Sequence, residues 1–139
     1  MLINQSAVKT IIPQREPFIM IDHLLRADDS GFSTSFEIKE DNVFFENGTV
    51  SSSAIIENIA QTCAAGFGYL GSQAGEGEAK LGFIGAISKL TVSGTANLND
   101  TVETNVTILN SFENIHLVEG TATVNDEPIV YCQMKIVQA

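Results

Sequence analysis

The stretch SSSAIIENIAQTCAAGFGYL, from Ser51 to Leu70, contains one ionisable carboxylate, Glu57. Burying a lone carboxylate is costly unless it is paired or protonated. One kept in apolar surroundings is therefore a candidate for proton transfer. Gln61 stands one helical turn further on, on the same face, where it can orient Glu57 or line a channel. Asn47, in the preceding loop, can polarise a carbonyl but cannot take a proton. The chain's two histidines, His23 and His116, are far from this stretch in sequence. Arg15 is the basic residue of interest near the N-terminus, and Lys89 the one in the second half; Lys80 and Arg26 complete a set available to dock an acidic partner. Each has a plain structural alternative. Glu57 can pair with Arg15 or a lysine, or be held by the helix macrodipole. Asn47-Gly48 is a strong turn pair, and Arg15 can pair with Glu16 or Asp22.

The elements that would position these groups follow from periodicity. Ile56, Ile59, Ala60, Cys63, Ala64, Phe67 and Leu70 recur at the spacing of a buried helical face. With so few polar residues around it, this helix belongs inside a core. Ser52 or Ser53 is expected to cap it, and Gly71 to end it. Residues 5–12 read as a short helix stopped by Pro13, and 18–25 as a strand. Residues 32–39 alternate as a half-buried strand, and 40–50 form a loop. Residues 71–80 read as a flexible connector. Four further strands follow: KLGFIGAISKLTV, TVETNVTILNSF, IHLVEGTATV and IVYCQMKIV. The fold class is α+β, with a curved antiparallel sheet wrapping one long central helix. Ala64, Ala65 and Gly68 suit a narrow tunnel and close helix packing equally well.

Composition narrows the function. A chain of 139 residues suits one domain, 1–139, with 44% hydrophobic and 17% charged residues. Seventeen acids against seven bases give a net charge of −10, which argues against nucleic acid or an anionic membrane as the main partner. Cys63 and Cys132 sit in apolar runs without metal-ligand spacing, so neither a metal nor another cofactor is expected. No signal peptide or apolar bilayer-length segment is visible, so a cytoplasmic setting is the expectation.

Motifs along nearly the whole chain resemble one family. PQREPFIMIDHLL is similar to the P-H-R-x-P-F-L-L-V-D-R-V opening of the 3-hydroxyacyl-(acyl carrier protein) dehydratases. IIENIAQTCAA resembles their helix segment L-x-E-A-x-A-Q-x, FIGAISKLTV their strand F-x-G-I-x-x-A-R-F, and LNDTVETNVTIL the strand opened by P-G-D-x-x-x-x-E-V. The resemblance implies the hotdog fold, a homodimer, and an acyl-pantetheine tunnel at the subunit interface. It places Glu57 at the second catalytic position. The sequence also departs from the family. The catalytic histidine belongs to a loop G-H-F-P-G-x-P-I-M-P-G, and FFENGTVSSS is shorter, with no proline and no histidine. Gln14 replaces the histidine of P-H-R. Such a loop resembles the variant dehydratase-like subunits of aryl-polyene pathways more than the housekeeping enzymes.

Dehydration needs a base for the α-proton, an acid for the leaving hydroxyl, and donors for the thioester carbonyl as it gains enolate charge. This sequence keeps the acid, and backbone N–H groups at the helix start are the expected carbonyl donors. Three readings follow, of which the first is the expectation and the other two its alternatives. The first is a dehydratase-like lyase of fatty-acid or polyene-type biosynthesis, acting on 3-hydroxyacyl thioesters of acyl carrier protein or coenzyme A. It would work as a homodimer or beside a complete dehydratase. The second is a hotdog thioesterase using Glu57 with Asn47. The third is a non-catalytic acyl-binding or partner-stabilising subunit.

Overall fold

A computed structural model describes residues 1–75 and 82–138. A short 3-10 turn, Val8–Thr10, opens the chain, followed by strands β1 (His23–Asp28) and β2 (Gly31–Glu37). A small hairpin, β3 (Phe45–Glu46) and β4 (Thr49–Val50), leads into helix α1 (Ser52–Gln73). Then come β5 (Gly82–Val92), β6 (Ala96–Asn97), β7 (Thr101–Phe112), β8 (Ile115–Val124) and β9 (Glu127–Gln138). Six strands form one antiparallel sheet in the order β1-β2-β7-β8-β9-β5, while β3, β4 and β6 make a separate small sheet. The long sheet curves around α1, which is the hotdog arrangement.

The sheet face toward the helix follows the two-residue period. Val102, Thr104 and Val106 of β7 point inward, while Thr101, Glu103 and Asn105 point out. Cys132, Met134 and Ile136 of β9, with Val118 and Ala122 of β8, meet Ile55, Ile59 and Cys63 of α1 in the main core. Burial pushes the Cys63 thiol up to about 12, so this cysteine is an inert core residue. The opposite side of the helix is covered by the N-terminal segment, where Val8, Ile11, Ile12, Ile21 and Leu24 pack with Ala65. Covering on two sides explains why the helix is apolar nearly all round. The expected face is split by this arrangement. Ile59 and Cys63 are buried in the core, whereas Ala60, Ala64, Phe67 and Leu70 are half-buried and turn toward a cleft.

Several boundaries differ from expectation for local reasons. Ser51, one residue earlier than expected, caps α1, its Oγ accepting from the Ala54 N–H at 3.4 Å. The helix continues past Gly71 to Gln73. Residues 5–12 give only the short 3-10 turn, because Asn4 Oδ1 accepts from the Ser6 N–H and Leu2 and Ile3 pair with Leu24. Residues 18–21 do not join a ladder, and Asp22 makes only a single backbone bond to Ser35 of β2; side chains of α1 take the backbone groups of Phe18 and Met20 instead. The loop over 40–50 contains the β3–β4 hairpin. Residues 76–80 of the expected connector lie outside the described residues.

Two glycines set the distance between helix and sheet. A methyl group added at Gly66 of α1 would overlap the Phe32 ring, and one added at Gly120 of β8 would press on Ile59. A third, Gly68, lies directly against the backbone carbonyl of Ile11. Ala65 is fully buried in close packing, Ala64 borders open space, and Gly68 both packs closely and borders that space. Gly66→Ala is expected to lower stability by about 1–2 kcal/mol in urea unfolding. The overpacking of up to ~3 kcal/mol outweighs the gain of nearly 1 kcal/mol in helix propensity. Unchanged or raised stability would contradict this packing.

Candidate functional site

Glu57 stands near the start of α1, and its carboxylate is tied to the helix by Gln61. Gln61 is fully buried, and every hydrogen-bonding atom of its amide is engaged. Its Oε1 accepts the Met20 N–H at 2.6 Å. Its Nε2 donates to the Phe18 carbonyl and to Glu57 Oε2, each at 2.7 Å. Asn58 completes the grip by donating from Nδ2 to the Met20 carbonyl at 2.7 Å. Behind it, Thr104 Oγ1 donates to Asn58 Oδ1 at 2.5 Å, and Thr62 pairs with Thr34. These buried polar atoms all have partners, as a low-dielectric interior requires. The other Glu57 oxygen accepts no hydrogen bond among the described residues, and the ion pairs found there, Lys9–Glu16 and Arg26–Asp28, do not involve it.

That carboxylate borders a cleft of about 400 Å³, within the range of small-molecule sites. One wall is the helix face that carries Glu57, Ala60, Ala64, Phe67, Gly68 and Gly71. The N-terminal segment contributes Gln14, and the ends of β5 and β9 contribute Phe83, Ile84, Ile136 and Gln138. From Glu57 to Gly71 the helix rises roughly 21 Å, so the cleft is long enough for an extended chain. Most of its side chains are apolar or small, with the carboxylate toward one end. Residues 51–56 are not among its walls, so the backbone donors expected at the helix start do not face it.

The other candidates fall elsewhere. Asn47 and Gly48 have φ of 54° and 83° and form the exposed tip of the β3–β4 hairpin, outside the cleft. Positive φ at both central positions is what a tight hairpin turn demands. Arg15 is exposed and folds back on its own backbone, donating to the carbonyls of Ile12 and Gln14 at 2.9 and 2.7 Å. It pairs with neither Glu16 nor Asp22; Glu16 is held by Lys9. Lys89, also exposed, has φ 53° in the irregular stretch of β5 between Ser88 and Thr91. His23 accepts the Gln5 N–H at Nδ1, 2.9 Å away, on edge strand β1. His116 is buried, stacked on Phe67 with ring centroids 4.2 Å apart, and hydrogen-bonded to Ser111 and Gln138. Phe67 lies ten residues beyond Glu57, roughly 15 Å along the helix, so His116 backs the far end of the cleft. No sequence signal marks that stack. Gln14, read only as a replaced histidine, proves to be a wall residue. Among the described residues no cluster of His, Cys, Asp and Glu could hold a metal, and no helix is long and apolar enough to cross a membrane.

The sequence profile of the ApeP-like family, described as ApeP dehydratase, matches residues 6–139. The chain belongs to the ApeP-like family. Solved structures share its fold at low identity. A chain of the dehydratase heterocomplex ApeI:P from Xenorhabdus doucetiae superposes with a TM-score of 0.88 at 14% identity, covering 95% of this chain and 90% of that one. Cj0977, a sigma28-regulated virulence protein from Campylobacter jejuni, gives 0.71 at 12% identity over 95% of each chain. A hypothetical thioesterase with coenzyme A from Streptococcus pneumoniae TIGR4 gives 0.66 at 8% over 84% of each. No curated protein matches this ApeP-like chain in sequence.

Replacing Gln61 with Met keeps the volume but leaves the Met20 N–H and Phe18 carbonyl without partners. At about 1–3 kcal/mol for each stranded buried group, Gln61→Met is expected to cost about 2–4 kcal/mol in urea unfolding. Amide exchange at Met20 should accelerate with it. Wild-type stability and protection at Met20 would show that Gln61 does not hold the segment.

Proposed function

We propose that this chain binds the acyl part of a 3-hydroxyacyl thioester in the cleft, with Glu57 as the group that moves the proton. It would act as the dehydratase-like half of a paired assembly. The observation that carries this reading is Glu57 at the wall of an elongated cleft lined mostly by apolar or small side chains, one oxygen fixed by Gln61 and the other without a hydrogen bond among the described residues. In the reaction, the C2–H bond breaks, the C2–C3 double bond forms and the C3–O bond breaks. A carboxylate can accept the C2 proton and pass it to the departing hydroxyl, which leaves as water. Membership of the ApeP-like family supports the dehydratase class.

Strand β5 offers a surface for the partner. It is an edge strand, bonded to β9 on one side only, and it exposes Phe83, Ile84, Ile87, Leu90 and Val92. A long apolar edge of this kind calls for cover by another chain. Phe83 and Ile84 are also cleft walls, so a partner on β5 would close the site. Because no imidazole lies beside Glu57, a hotdog partner that brings one fits better than a second copy. The X. doucetiae relative is itself named a dehydratase heterocomplex. Arg15 and Lys89, both exposed, remain the candidates for docking an acyl carrier protein.

A second reading, thioester hydrolysis, is favoured by that same lone carboxylate, which suits activation of water. Incubation with 3-hydroxyacyl and with saturated acyl thioesters separates the two. The expected result is an enoyl product from the first, and Glu57→Gln should reduce its formation at least 100-fold, the lower range for a proton-transfer group. Free thiol from both substrates would establish hydrolysis instead, and full turnover by Glu57→Gln would remove Glu57 from either mechanism.

A further inference from the structure

Gln14 is the one buried polar atom problem in the described part of the molecule. Its Oε1 is sealed from solvent and has no hydrogen-bond partner. Native structures keep few such atoms, and each calls for a reason. The same side chain borders the cleft together with Glu57. Its Nε2 is not among the sealed atoms and donates to no group among the described residues. The backbone around it is pinned on both sides: Ile11 abuts Gly68, and the Phe18 carbonyl is bound by Gln61. The backbone on either side of Gln14 is thus tied to the helix, at Gly68 and at Gln61.

The cleft needs such a donor. The helix start does not face it. Of the other polar walls, Gln138 accepts from or donates to His116 behind Phe67, roughly 15 Å beyond Glu57, and Ser72 lies further still, roughly 22 Å along the helix. We infer that Gln14 is a positioning residue for the ligand, its Nε2–H donating to the acyl carbonyl oxygen while Glu57 serves the adjacent carbon. This rests on the acyl-thioester reading above. A neutral donor lining the same cleft as a carboxylate orients the carbonyl and stabilises the charge it gains, without adding a competing cation. The stranded Oε1 is what the fold concedes to keep that amide in place, so function and stability should oppose one another at this residue.

The test uses the full chain in the assembly in which it purifies. The probe is an acyl-pantetheine analogue with a methylene in place of the thioester sulfur, which can be neither dehydrated nor hydrolysed. Gln14→Met should bind it about tenfold more weakly. The infrared stretch of its labelled carbonyl should return to the unbonded frequency, and Tm should rise by roughly 4 °C as the stranded oxygen is removed. Gln14→Asn, which keeps an amide, should recover part of the carbonyl shift. A purely structural residue would leave the stretch unchanged. Wild-type affinity and the wild-type stretching frequency in Gln14→Met would overturn the role of Gln14 alone. Failure of the wild-type protein to bind the probe would overturn the acyl reading and this inference with it.

Discussion

The amide of Gln61 has two N–H bonds and both are committed, one to the Phe18 carbonyl and one to Glu57. This constraint joins three parts of the molecule that the rest depends on. It fixes which end of the amide is oxygen, because Oε1 must receive the Met20 N–H. It ties the N-terminal segment to the helix without a ladder, and so leaves that segment free to form a cleft wall through Gln14. It also leaves Glu57 with one oxygen held by Gln61 and the other without a hydrogen bond among the described residues. Asn58 repeats the grip on the far side of the Met20 peptide, so the segment is held at both faces.

Around that anchor the helix serves two purposes with different faces. Ile55, Ile59 and Cys63 supply the core, and Ala60, Ala64 and Gly71 line the cleft. Apolar periodicity does not distinguish these, since a lipid-like channel and a core both favour the same residues. For this reason the long helix and the sheet around it were legible in the sequence, whereas the division of the helix into a core side and a cleft side was not. The strands β2, β7, β8 and β9 were legible for a similar reason, with two-residue alternation over long stretches and turn residues between them.

What escaped the sequence was decided at long range. Residues 18–22 have the composition of a strand, but side chains about forty residues away capture the backbone groups of Phe18 and Met20. Ser51 outcompetes Ser52 and Ser53 as the cap, and all three are the same residue type. Glu57 and Gln61 were legible as a pair from helical spacing, and Asn47 was legible as a turn, which is where it lies. Arg15 turns to its own backbone carbonyls, a local choice that charge counting does not reveal. His116 reaches Phe67 only because β8 brings it under the helix at that level. The family resemblance, by contrast, was spread over motifs in chain order, and membership of the ApeP-like family agrees with it.

The central claim is that Glu57 moves a proton at the carbon beside a thioester carbonyl. Solvent exchange at that carbon tests it most directly. In deuterium oxide, the protein in its native assembly should introduce deuterium at C2 of a 3-hydroxyacyl or 2-enoyl thioester, and Glu57→Gln should abolish the label while the substrate still binds. Deuterium entering C2 at the wild-type rate in Glu57→Gln would contradict the account.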